Sequence, residues 1–235
     1  MIKGVCKTCT NKLCVRKVSV FKNLTDMDML EIVKLTEHLE FSKGDYLFHE
    51  GDKLAKLFIV NLGKVKLSKF NSEGREQILS IHSDGMIFGE FHLFNEDEPF
   101  NYTAIALSDL KICTLTKKNM DYLLSKHPSI NQKILIELSK KLIQTENLAK
   151  SLSTINTDTK VAYVLHELSK DHGIFSEDKI RIEMPINREE MANYAGITRE
   201  TMSRKLKSLS ESGIIELVGN KVIIIHNIKK LNELI

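Results

Sequence analysis

From Phe41 to Thr116 the chain keeps interrupting its own apolar runs with glycine turns. The turns are Lys43-Gly44-Asp45, Glu50-Gly51-Asp52, Leu62-Gly63-Lys64, Glu73-Gly74, Asp84-Gly85 and Phe88-Gly89. Gly63, Gly74 and Gly85 fall eleven residues apart. Apolar and polar residues alternate in Lys64-Val65-Lys66-Leu67-Ser68 and in Gln77-Ile78-Leu79-Ser80-Ile81. Strands this short bury an apolar face only by stacking against others, so the pattern predicts a β-sandwich or roll. The β-roll (jelly roll) is placed at 18–120 and the fold class is α+β.

Helical grammar flanks the roll. Thr25 followed by Asp28 reads as a cap and its reciprocal partner, opening a short helix to about residue 38. After His127-Pro128 no turn signal appears until Asn156-Thr157-Asp158, so 121–155 is assigned to one long helix. Along it Leu135, Leu138, Leu142, Thr145, Ala149 and Leu152 recur at spacings of 3 and 4, a heptad seam. Such a seam serves either packing on its own domain or a dimer interface. Ile130, Ile134 and Ile143 lie off it and suit the roll, which leaves the seam for a second copy.

The segment 156–235 carries the grammar of a winged helix-turn-helix. Asn187-Arg-Glu-Glu190 is a capping box. Gly196 suits the left-handed turn between two helices. Thr198 caps a second helix running to about Ser212-Gly213, and Leu217-Val218-Gly219-Asn220-Lys221-Val222 reads as a hairpin. The N-terminal turns of a recognition helix meet base edges in the major groove. Here those turns carry Arg199, Glu200, Thr201, Ser203 and Arg204, with Lys205 and Lys207 for phosphates. A glutamate accepts from a cytosine amino group, and an arginine donates twice to a guanine edge. Charge balance adds nothing, since 155–235 holds 12 Lys+Arg against 12 Asp+Glu. The competing reading is an amphipathic helix with an ordinary Glu200–Arg204 ion pair.

Three of the four cysteines, Cys6, Cys9 and Cys14, fall within nine residues, and the fourth is Cys113. A four-thiolate site has this form, a local clip plus one distant ligand. Thiolates suit an iron–sulfur cluster or zinc. A dithiol switch at Cys6 and Cys9 is the remaining option, and Cys113 alone would pass for a small buried hydrophobe. No apolar run approaches membrane-spanning length and no leader is visible, which predicts a cytoplasmic protein. There clustered cysteines serve as ligands or redox thiols more than as structural disulfides. His49, His82 and His92 are read as surface or packing residues. No His/Glu ligand cluster or nucleophile-plus-base set argues for an enzyme.

With these motifs together the chain resembles the CRP/FNR superfamily of bacterial transcription regulators over nearly its whole length. The resemblance implies a cyclic-nucleotide-binding-like roll, a dimerisation helix and a DNA-reading winged helix. Partners would be double-stranded DNA, a second copy and, for an activator, RNA polymerase, with no membrane. In the family a Glu and an Arg four residues later read a TGA-type half-site, and Glu200 and Arg204 match them. Ser203 matches the FNR-type Glu-x-x-Ser-Arg, whereas Arg199-Glu200-Thr201 resembles the CRP type, so the helix is a hybrid. CRP-like nucleotide pockets show Gly-Glu-Leu and then Arg-Ser-Ala. Gly89-Glu90-Phe91 matches the first, but Phe100-Asn101-Tyr102-Thr103-Ala104 lacks the arginine, so no cyclic nucleotide is expected. In FNR-type oxygen sensors three tail cysteines and one from the roll hold a [4Fe–4S] cluster. Cys6, Cys9, Cys14 and Cys113 match, with four residues rather than five in the second gap. The resemblance therefore implies an oxygen- or redox-responsive, anaerobically active homodimer. The alternative is a family regulator working by thiol–disulfide chemistry or without a ligand.

Overall fold

The computed structural model describes residues 14–176 and 179–235, so Cys6 and Cys9 lie outside the described residues. The described residues form two compact units, one drawn from 14–69 and 81–142 and the other from 70–80 and 143–235.

In the first unit two 3₁₀ turns, Cys14–Lys17 and Ser19–Phe21, lead into α1 (Asp26–Leu35). The predicted cap is formed: Thr25 Oγ1 accepts from the Asp28 N–H, and the Asp28 carboxylate accepts from the Thr25 N–H. The helix is shorter than expected. Thr36 ends it, and Glu37–Phe41 is already a strand, β1, missed because only Leu39 and Phe41 mark its apolar face. The roll continues with β2 (Tyr46–Phe48), β3 (Lys56–Leu62), β4 (Val65–Phe70), β5 (Glu76–His82), β6 (Ile87–Phe88), the short α2 (Glu90–Phe94), β7 (Thr103–Ala106) and β8 (Leu110–Thr116). One sheet runs β1-β8-β3-β6, and β7 lies between β2 and β4 in the other. Adjacent strands are antiparallel, as a roll requires.

Two apolar cores fill this unit. One gathers Phe48, Phe58, Phe88 and Phe100 inside the roll. The other joins Val15, Val18, Val20 and Phe21 to Leu57, Ile59, Cys113 and Leu115. Each such side chain contributes about 1.5–3 kcal/mol on burial, enough to hold the segment after Cys14 against the roll. Gly85 makes that approach possible. At φ +85° it takes a left-handed conformation, and a Cβ there would lie 2.7 Å from the Lys17 carbonyl oxygen.

The long-helix expectation needs one correction. Residues 117–126 form a separate helix, α3 (Lys117–Lys126), capped by Thr116, and the seam lies on α4 (Ser129–Ser153). His127 and Pro128 make the break, because proline disfavours helical geometry in the residue before it.

The second unit holds α5 (Thr157–His172), β9 (Gly173–Ser176), β10 (Lys179–Glu183), α6 (Arg188–Ala195), α7 (Arg199–Glu211), β11 (Ile215–Val218), β12 (Val222–Ile225) and α8 (Ile228–Asn232). Its sheet runs β11-β12-β10-β9, so the predicted hairpin pairs with a second one that the sequence did not reveal. No helix among the described residues is long and apolar enough to cross a membrane.

Candidate functional site

The turn between α6 and α7 sets the DNA-reading geometry. Asn187 and Glu190 form the reciprocal capping box at the start of α6. Gly196 closes that helix at φ +62°, where a Cβ would meet Leu152 Cδ2 at 2.8 Å. Thr198 then caps α7 by accepting from the Thr201 N–H. Met202, Leu206 and Leu209 are buried and fix which side of α7 faces inward.

The opposite side presents Arg199, Glu200, Ser203, Arg204 and Lys207 to solvent. Among the described residues neither Glu200 nor Arg204 enters an ion pair, so the ordinary helix-surface pair is not formed. Both residues are exposed to solvent. Two of the expected contact residues also have partners within the unit. Lys205 is half-buried and its Nζ lies 2.7 Å from the Asp158 carboxylate of α5. Thr201 is half-buried, with its hydroxyl accepting from Thr198 at 3.0 Å. Lys207 is only loosely held, 3.7 Å from Glu211.

On α4 the predicted seam divides. Leu135 and Leu142 are 64% and 60% exposed, and Thr145 and Ala149 are exposed too. Leu138 is half-buried against the core of the first unit, and Leu152 is half-buried as well. Ile130 and Ile134 are buried as expected, but Ile143 is 57% exposed and Ile136 48%. The uncovered apolar stripe is therefore Leu135, Ile136, Leu142 and Ile143. The 3,4 spacing includes Leu135 and Leu142 but passes over Ile136 and Ile143, each about 100° further round the helix.

The sulfur site is described only in part. Cys14 opens a 3₁₀ turn, and Val15 and Val18 just after it sit in the same core as Cys113. Cys113 is 3% exposed on β8, and its Sγ lies 3.2 Å from His38 Nδ1. Burial holds the His38 imidazole below its usual value, favouring the neutral ring. His38 escaped the sequence reading because it touches Cys113 only through strand pairing, 75 residues away. Away from it, Asp28, Glu31 and His127 converge, yet this donor set is already engaged. Glu31 accepts from Tyr122 at 2.6 Å and from Lys126 at 2.5 Å, and the Asp28 carboxylate accepts from the Thr25 hydroxyl at the start of α1.

The third place is the turn the resemblance associates with a nucleotide. Glu90 is 3% exposed and ion-pairs with Lys141 of α4, whose Nζ also donates to the Ile87 carbonyl at 3.0 Å. Beside it Phe100 stacks on Phe48 and on His92, with ring centroids 3.9 and 4.1 Å apart. Burial, and then the Glu90 charge, push the Tyr102 phenol far above its ordinary value. His82 and His92 are packing residues, and His49 stacks on Tyr46 at the surface, as expected.

A model of the cyclic nucleotide-binding domain matches residues 38–127, and one of the Crp-like helix-turn-helix domain matches 159–234. The probable transcriptional regulator flp of Lacticaseibacillus casei is 32% identical over 213 residues, covering 91% of this chain and 94% of that protein. The chain belongs to the CRP/FNR family of transcription regulators. Other relatives divide by signal. The CRP-like cAMP-activated global regulator of Mycobacterium tuberculosis is 25% identical over 88% of this chain and 92% of its own. The anaerobic regulatory protein of Haemophilus influenzae is 29% identical over 97% and 87%. The structure of FixK2 from Bradyrhizobium japonicum shares the fold, with a TM-score of 0.74 at 24% identity over 85% of this chain and 96% of that one. This CRP/FNR member is thus a DNA-binding regulator, and its relatives are regulators rather than enzymes.

Proposed function

We propose that this regulator responds to oxygen or redox state through a [4Fe–4S] cluster held by Cys6, Cys9, Cys14 and Cys113. The observation that carries the reading is the anchoring of the segment after Cys14, through Val15 and Val18, in the same core as Cys113. A buried sulfur on a strand, sharing its core with the residues just after Cys14, fits a thiolate-ligated group. When bound, the cluster supplies oxygen-sensitive redox chemistry. The chain's own residues do the rest. Cys6 and Cys9 would complete the ligand set with Cys14 and Cys113. The core that contains Cys113 also contains Ile130 and Ile134 of α4. Ordering it favours presentation of Leu135, Ile136, Leu142 and Ile143 to a second copy. A dimer then sets two α7 helices about one DNA turn apart on a palindrome with TGA-type half-sites. Glu200 and Arg204 read the bases, and RNA polymerase is a further partner if the protein activates.

The Glu90–Lys141 pair and the aromatic packing around Phe100 support a sensor that takes no cyclic nucleotide. The relatives' names divide between cAMP-activated and anaerobic regulators, and the four cysteines favour the second reading. Anaerobic purification tests the reading, with iron and sulfide analysis and visible absorption. About four iron and four sulfide per chain, bleached by air and missing from Cys113→Ser, is expected. A colourless, iron-free protein after anaerobic reconstitution would instead favour zinc or a Cys6–Cys9 dithiol, told apart by metal analysis and free-thiol counts.

A further inference from the structure

The turn between α6 and α7 is held by more than its own two helices. Segment 70–80, which ends β4, turns and begins β5, belongs to the same unit as both of them. Its turn is braced on itself, with Asn71 Oδ1 accepting from the Glu73 and Arg75 N–H groups at 3.0 and 2.9 Å. Just beyond, Gln77 is half-buried, and its Nε2 donates to the Tyr194 carbonyl at 3.1 Å and to the Ile78 carbonyl at 2.9 Å. Both partners are acceptors only, which fixes the way the amide points. Tyr194 lies in the last turn of α6, where carbonyls have lost their intrahelical donors. Gln77 therefore supplies, from 117 residues away in the chain, a donor that the helix end lacks. A Cβ on Gly196 would sit 3.6 Å from Gln77 Oε1, so the amide lies against the turn itself. Asn193 adds a second link, its Nδ2 donating to the Glu76 carboxylate at 3.2 Å.

We infer that Gln77 is a positioning residue for DNA reading, capping the C-terminal end of α6 and so fixing the turn from which α7 enters the major groove. The inference rests on base reading by α7. Only Gly196, Ile197 and Thr198 separate α6 from Arg199. A rotation of the α6 end thus carries Arg199, Glu200, Ser203 and Arg204 with it. Hydrogen bonds to base edges weaken steeply with misalignment, whereas sequence-independent attraction to phosphates tolerates it. Without the cap the turn samples further orientations, and affinity for the correct sequence falls by the fraction that stays competent. A neutral hydrogen bond of ordinary net strength sets that fraction at about one-fifth. Gln77 acts through α6 and not on the DNA.

The test compares the parent chain with Gln77→Met, which keeps length without a donor, and Gln77→Lys, which restores a donor and sets a positive charge at a helix C-terminus. The probe is the duplex that the parent enriches from a randomised pool under anaerobic conditions, with a scrambled duplex as control. Dissociation constants for both duplexes, urea unfolding and amide hydrogen exchange across residues 196–202 are measured. Gln77→Met is expected to bind the enriched duplex about fivefold more weakly and the scrambled one like the parent, with faster exchange across 196–202. Gln77→Lys should return affinity and exchange toward the parent's. Equal affinity and exchange in parent and Gln77→Met would overturn the inference while leaving base reading by α7 intact. Equal weakening on both duplexes, with a lowered unfolding midpoint, would overturn it too, because it marks a residue that only supports the fold. Failure of Gln77→Lys to recover what Gln77→Met loses would overturn the donor role. A parent that enriches no sequence would defeat base reading itself, and this inference with it.

Discussion

Glu90 and Glu200 are the same side chain in opposite circumstances. Glu90 lies 3% exposed in the roll, neutralised by Lys141. Glu200 stands exposed on α7 with no ion-pair partner among the described residues. In the first unit a carboxylate at a turn associated with ligands has become part of the packing. In the second, a carboxylate on an ordinary-looking helix keeps its hydrogen-bonding capacity unspent. A charge is available to an external partner where the fold has not already supplied an internal one.

The contrast can be broken most severely at Lys141. Lys141→Ala leaves Glu90 buried without a counter-charge and is expected to lower unfolding stability by about 3 kcal/mol in anaerobic urea titrations. The double variant Lys141→Met/Glu90→Leu should recover most of that loss. If Lys141→Ala unfolds like the parent, Glu90 is not held by the pair. At α7 the effect should move from stability to recognition. Arg204→Ala is expected to weaken binding to a TGA-type half-site by about 1–3 kcal/mol and relax preference at one base pair. Its unfolding curve should match the parent's, and uniform weakening on all sequences would demote Arg204 to a phosphate contact. The smallest effect sharpens the comparison within α7 itself. Lys205→Ala, breaking a partly exposed ion pair with Asp158, should cost at most about 1 kcal/mol of stability and leave the salt dependence of DNA binding unchanged. Lys207→Ala should leave stability unchanged and reduce that salt slope by about one.

What could be read from the sequence follows how local each signal is. Thr25 with Asp28, Asn187 with Glu190, and Thr198 before α7 are caps whose partners lie three residues away, and each is formed. The glycine turns and the alternation in β4 likewise announce themselves within a few residues. The exposed tip of α7 follows from the burial of Met202, Leu206 and Leu209 at helical spacing. Non-local pairings escaped. Strand β1 carries Glu37, His38 and Glu40 among its five residues, so only its place beside β8 makes it a strand. The Lys205 pair with Asp158 likewise depends on α5, 47 residues away in the chain. The spacing turns Ile143 inward and the structure leaves it outward, since a two-and-a-half-repeat pattern fixes a helix face only coarsely. His38 is the costliest omission, because nothing near it in the chain hints at Cys113.

The packing of Val15 and Val18 beneath Lys17 and Gly85 bears on the entropy of assembling the sulfur site. Cys14 and Cys113 are separated by about a hundred residues. Joining the ends of so long a loop costs on the order of 4 kcal/mol in a free chain. Here hydrophobic burial of Val15 and Val18 closes that loop as part of folding, so the entropy of bringing Cys14 into the same unit as Cys113 is met by the core and not by any group the cysteines would hold.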